Sequence, residues 1–241
     1  MLELFPLLAL GFFLGVRHAT DVDHGVAVTT IVSRERSLWL AALIGGLWGV
    51  GHTMTIVAVG GAIILLGLVI PPRLGLTMEF SVAVMLIILG MLNLTGILRW
   101  LRAGPGIGRG GRAEGEKPQA WLDRTFGRLG LYQVARPLVV GVIHGLAGSA
   151  AVALLVLATI REPMWTLAYL MIFGLGTIAG MMVITLAIAA PFAYTAARFG
   201  RLNRYLGVAS GLLSVGFGLF LVYQIGFVDG LFSANPRWTP D

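Results

Sequence analysis

The chain has no cysteine, which excludes disulfides, thiolate metal sites and thiol redox chemistry, so a metal would have to be held by nitrogen and oxygen. Charge is nearly as scarce: Asp, Glu, Lys and Arg make up 12% of the 241 residues, against about one quarter in a soluble domain. There is no Gly-x-x-x-x-Gly-Lys-Ser/Thr element to cradle a nucleotide phosphate, and no His-Glu-x-x-His pair of the common zinc hydrolases. What fills the chain instead is apolar, with 57% hydrophobic residues and a mean hydropathy of +0.89. No soluble core could absorb that much apolar surface, so the composition predicts an integral membrane protein.

Apolar runs broken by Pro, Gly and charge fall at 4 to 32, 38 to 69, 78 to 100, 137 to 160, 164 to 195 and 204 to 227. The fold class expected is therefore all-α, a polytopic transmembrane bundle of six spans in a single domain over residues 1–241. Its parts are a first repeat (1–100), a cytoplasmic linker (101–135), a second repeat (136–228) and a short external tail (229–241). The Gly-rich linker is expected to carry a short interfacial helix around Trp121 to Leu131. The first apolar stretch has no basic lead, so no cleaved signal peptide is expected.

A formal net charge of +6 raises the question of nucleic acid, but the basic residues lie in short loops, where membrane topology accounts for them. Arg34, Arg36, the run from Arg99 to Arg136, and Arg198, Arg201 and Arg204 fall in alternate loops, and Arg73, Arg161 and Arg237 on the other side. Short cytoplasmic loops concentrate Lys and Arg, so both termini are expected outside the cytoplasmic membrane. The halves also resemble each other. Gly15-Val16-Arg17-His18 aligns with Gly141-Val142-Ile143-His144, and at the same spacing Trp39 meets Trp165. Three spans per half force opposite orientations, which predicts an inverted repeat of the kind common in secondary transporters.

All four histidines, His18, His24, His52 and His144, fall inside predicted spans. The first span also holds Arg17, Asp21 and Asp23, although an Asp or Arg at the centre of a membrane helix costs roughly 2.5 to 3.5 kcal/mol. On one continuous helix His18, Asp21 and His24 share a side and can converge on a cation. Asp23 points elsewhere, and joins them only if the backbone unwinds near Gly25; otherwise it pairs with Arg17 or another helix. Imidazole with carboxylate suits nickel, cobalt or zinc rather than calcium or magnesium. In Gly51-His52-Thr53, Gly51 permits close backbone approach, Thr53 can return a hydrogen bond, and His52 can add a ligand. His144 has no acid beside it and, with Arg17, is a secondary candidate; Asn93 reads as a packing residue.

Arg17-His18-Ala19-Thr20-Asp21-Val22-Asp23-His24 resembles the first signature of the nickel/cobalt transporter family, whose core is His, four residues, then Asp-His. Gly51-His52-Thr53 resembles the second, a Gly-His-Ser/Thr element in the following helix. The resemblance implies a metal site of His18, Asp21, Asp23, His24 and His52. Larger members have eight spans and acidic signatures in the second half. Here the corresponding stretches, Gly145 to Val152 and Gly174 to Met182, contain no carboxylate, so the chain resembles a compact branch associated with urease nickel supply.

The function expected is a secondary permease for a divalent transition-metal cation, Ni2+ or Co2+, working as an uptake system by the sign of the membrane potential, with the ion as substrate and no prosthetic group. Its partners are the ion and the lipid bilayer, with no nucleic acid and no ATPase subunit, and a homo-oligomer stays open. Two alternatives share the residues: a six-span exporter of a small solute or anion anchored by Arg17, and an intramembrane metalloenzyme. The first gains nothing from Asp21 and Asp23; the second lacks a general base separate from the ligands.

Overall fold

In the computed structural model the described residues are 4–33, 35–68, 70–102, 134–147 and 162–238. They form helices α1 (Leu4–His18), α2 (Val22–Val32), α3 (Leu38–Leu66) and α4 (Pro72–Arg102). After these come α5 (Val134–Ala147), α6 (Pro163–Arg198) and α7 (Gly200–Tyr223), which runs on into a π-helical turn at Gln224–Val228. Four of them, α3, α4, α6 and α7, are long and apolar enough to cross a membrane, and α1, α2 and α5 are shorter apolar helices. The molecule is a helical membrane bundle. The expected linker helix at Trp121 to Leu131, and the part of the fourth expected span beyond Ala147, lie outside the described residues.

The first expected span is not one helix. At 1.5 Å per residue, α1 covers about 22 Å and α2 about 16 Å, so neither crosses a hydrocarbon core of about 30 Å alone. The break falls at Ala19 to Asp21, not near Gly25, which lies inside α2. Its cause is local. The Thr20 hydroxyl donates to the Arg17 carbonyl (2.6 Å), and the amides of Thr20 and Asp21 donate to the carbonyls of Arg17 and His18 at tighter, three-residue spacing. Asp21 then takes extended backbone (φ −60°, ψ 148°) as the N-cap of α2. By contrast α3 is continuous, capped by Ser37 at one end and by Gly67, in the left-handed region at φ 63°, at the other.

The halves interlock reciprocally. α1 packs on α6, and α5 packs on α3. A methyl group at Gly15 would overlap the Phe173 carbonyl and stand 2.9 Å from the Thr177 amide; one at Gly141 would overlap the Trp48 carbonyl and stand 2.9 Å from the His52 amide. Further along the same crossings, Gly176 abuts the Phe12 carbonyl as Gly51 abuts that of Leu138. Between α3 and α6, Gly49 seats Ile178 as Gly174 seats Thr53. Such exchange of roles is what a two-fold relation between halves requires. The contacts correct one detail: α3 matches α6 at a spacing one residue shorter than the one relating α1 to α5, so the counterpart of Trp39 (75% exposed) is Met164 (73% exposed), not Trp165.

Elsewhere, polar side chains join neighbouring helices. Asn93 on α4 donates to the Gly207 carbonyl (3.1 Å) and to Ser210 Oγ (3.0 Å) on α7, the packing role expected of it. The C-terminal segment folds back onto α4. There the Trp238 indole donates to Glu79 Oε1 (2.7 Å) and its ring lies directly against Gly75. Trp238→Ala should therefore lower unfolding stability by about 1–3 kcal/mol, and Gly75→Val, which fills the ring's seat, by a similar amount. Because both act through one contact, the double variant should be little worse than either single one in thermal melts; additive losses would refute the clasp.

Candidate metal centre

The break between α1 and α2 brings polar groups together that a continuous helix would separate. His18 ends α1, and its Nδ1 lies 2.8 Å from Oδ2 of Asp21, whose carboxylate makes no capping bond to α2. Asp23 stands in the first turn of α2, where the positive end of the helix dipole favours an acid. Its Oδ1 accepts from the His24 amide (2.9 Å) and lies 3.0 Å from His24 Nδ1. The other oxygen, Oδ2, is 3.4 Å from Nε2 of His144 on α5.

His52 reaches the same place from the middle of α3. Gly51 lets α5 approach, Thr53 Oγ1 donates to the Gly174 carbonyl (3.1 Å), and His52 Nε2 comes within 3.0 Å of His18 Nε2. The ring centroids of His18, His24 and His52 are mutually 5.1 Å apart, and those of His24 and His144 are 4.7 Å apart. Among the described residues, two groups have donor atoms within 4.8 Å of one another: His18, His24 and His52, and Asp23, His24 and His144.

Protonation follows from these partners. A carboxylate facing Nδ1 places the ring proton there, which leaves a lone pair on Nε2 of His18, facing His52 Nε2, and on Nε2 of His24. His24 Nε2 and His52 Nδ1 are buried without a hydrogen-bond partner, and so are both ring nitrogens of His144. A buried polar atom left unbonded costs about 1–3 kcal/mol, a cost that a bound cation would offset at a lone-pair nitrogen. Three imidazoles from three helices, two of them oriented by carboxylates, form a nitrogen-rich socket suited to a borderline divalent metal.

Each sequence candidate can now be placed. His18, His24 and His52 meet. Asp21 stands behind His18 and belongs to neither donor group, because the break turns it back toward α1. Asp23 joins through His24 and His144 instead of pairing with Arg17, which is exposed and forms no ion pair among the described residues. Two neighbours were missed: Trp48, fully buried and stacked on His24 (6.0 Å, 19°), and Phe173, 5.6 Å from His18. The signal for Trp48 was its position one helical turn before His52; Phe173 is its counterpart on α6.

Among curated proteins, the chain is similar to the urease accessory protein UreH of Bacillus sp. (strain TB-90). The two are 33% identical over 230 residues, which cover 95% of this chain and 96% of the relative. No family model matches the chain, and no solved structure matches it.

Proposed function

This chain belongs to the nickel/cobalt transporter family, and from that premise we propose that it is a permease carrying Ni2+ or Co2+ into the cell across the cytoplasmic membrane, with both termini outside. The observation that carries the reading is the buried meeting of His18, His24 and His52, two of them backed by carboxylates, at a break in the first span. Such a socket can replace part of the ion's water shell at a depth where bare charge is costly. Discontinuous helices around a site between repeats are also how many secondary transporters bind ions. Inward movement of a divalent cation gains about 4.6 kcal/mol per 100 mV, from about 2.3 per elementary charge, so no nucleotide is needed. An anion carrier finds less support, because the carboxylates of Asp21 and Asp23 stand at the histidines and would repel an anion, while its anchor, Arg17, is exposed.

Binding is tested on purified protein by thermal shift across nickel, cobalt, zinc, manganese and magnesium. At one hundred times the dissociation constant a ligand adds about 2.7 kcal/mol, or a rise of roughly 5 °C for a chain of this length. Nickel and cobalt should give that rise and magnesium none; equal shifts from all five ions would overturn the reading.

A further inference from the structure

The geometry points to two stations for the ion, with His24 shared between them: a first made by His18, His24 and His52, and a second made by Asp23, His24 and His144. This rests on the permease reading and adds to it a hand-over step and a role for a residue of the second half.

The sharing follows from the chemistry of one ring. With its proton on Nδ1, facing Asp23 Oδ1 at 3.0 Å, His24 offers the Nε2 lone pair to His18 and His52. With the proton on Nε2, the lone pair is on Nδ1, beside the Asp23 carboxylate and toward His144. A neutral imidazole has a single lone pair, so His24 can serve only one station at a time. Serving the second station therefore requires the tautomer protonated on Nε2, and serving the first the one protonated on Nδ1.

The second station has its own reason to take a cation. His144 is 1% exposed, both its ring nitrogens lack hydrogen-bond partners, and its Nε2 is 3.4 Å from Asp23 Oδ2, near a carboxylate but not bonded to it. Trp48 walls His24 and His144 together, its ring 6.0 and 5.2 Å from theirs. The stations also differ in charge. The first has three neutral nitrogen donors, with His18 17% and Asp21 50% exposed. The second contains a carboxylate, with Asp23 itself 30% exposed. Only His24 lies in both donor groups.

The test uses the full chain in detergent with Co2+ as probe, read by equilibrium dialysis and by X-ray absorption, which counts imidazoles. Wild type should bind one Co2+ with three imidazoles. His18→Gln with His52→Gln should still bind one Co2+, roughly 10- to 100-fold more weakly, with two imidazoles and a carboxylate, and adding His144→Ala should abolish that residual binding. His144→Ala alone should keep the three-imidazole spectrum while cellular nickel accumulation falls more than tenfold. Two Co2+ bound at once to wild type, no binding by the folded His18/His52 double variant, or normal accumulation by His144→Ala would each overturn the second station. Should wild type itself neither bind Co2+ nor accumulate nickel, the permease reading fails, and the two-station proposal with it.

Discussion

Alanine at His24 should lower cobalt or nickel affinity more than 100-fold and bring accumulation of radioactive nickel by cells to background. The reason is position. His24 is 3% exposed, belongs to both donor groups, and is held by Asp23 through both its amide and its ring. Losing it removes a ligand wherever the ion sits. Its side chain also fills space against Trp48, so membrane insertion and expression must be matched before accumulation is compared. Asp21→Asn provides the graded contrast. That carboxylate orients His18 and belongs to neither donor group, so its loss should weaken binding by about 10- to 100-fold, the usual effect of removing a partner behind a metal-ligating histidine. Near-normal accumulation in His24→Ala at limiting metal would sink the site and leave a structural network joining α1, α2, α3 and α5.

The sequence showed which helices carry the site but not how they fold around it. His18, His24 and His52 were legible because histidines inside apolar runs have few reasons to be there. The relation of the two acids was not, because helical periodicity assumes an unbroken backbone. Once the chain breaks at Ala19 to Asp21, Asp21 turns back on His18, and Asp23, expected to point away, faces His24 and His144. The signal existed: Thr20 and Asp21 are residues that start helices and bond to nearby backbone. His144 shows a different limit. Its neighbours in sequence contain no acid, and its carboxylate partner comes from the other half of the molecule, which local context cannot reveal. The pairing of Gly15 with Gly141 was legible in the sequence, while the register of α3 against α6 required the contacts themselves.

The same glycines carry the second large expected effect. Alanine at Gly141 would overlap the Trp48 carbonyl and come within 2.9 Å of the His52 amide, and neither is the end of a flexible side chain that could swing aside. α5 must therefore shift away from α3, taking His144 with it, at a cost of about 1–3 kcal/mol. Gly15→Ala meets the same obstacle in the other half, where the Phe173 carbonyl blocks the added methyl group, but there the element displaced is α1 and the residue moved is His18. Both variants should melt several degrees lower and lose most nickel accumulation. Their binding should differ. Gly15→Ala loses the His18, His24 and His52 socket, whereas Gly141→Ala disturbs chiefly His144. Gly46 and Gly61 on α3 serve as controls, since a methyl group there meets only side-chain atoms at ordinary distances, Met182 at 3.5 Å and Leu167 at 3.7 Å. Alanine at either control should be neutral in melting and accumulation. If Gly141→Ala proves as benign as Gly61→Ala in both, the tight crossing of α5 over α3 is not what holds His144 beside His24.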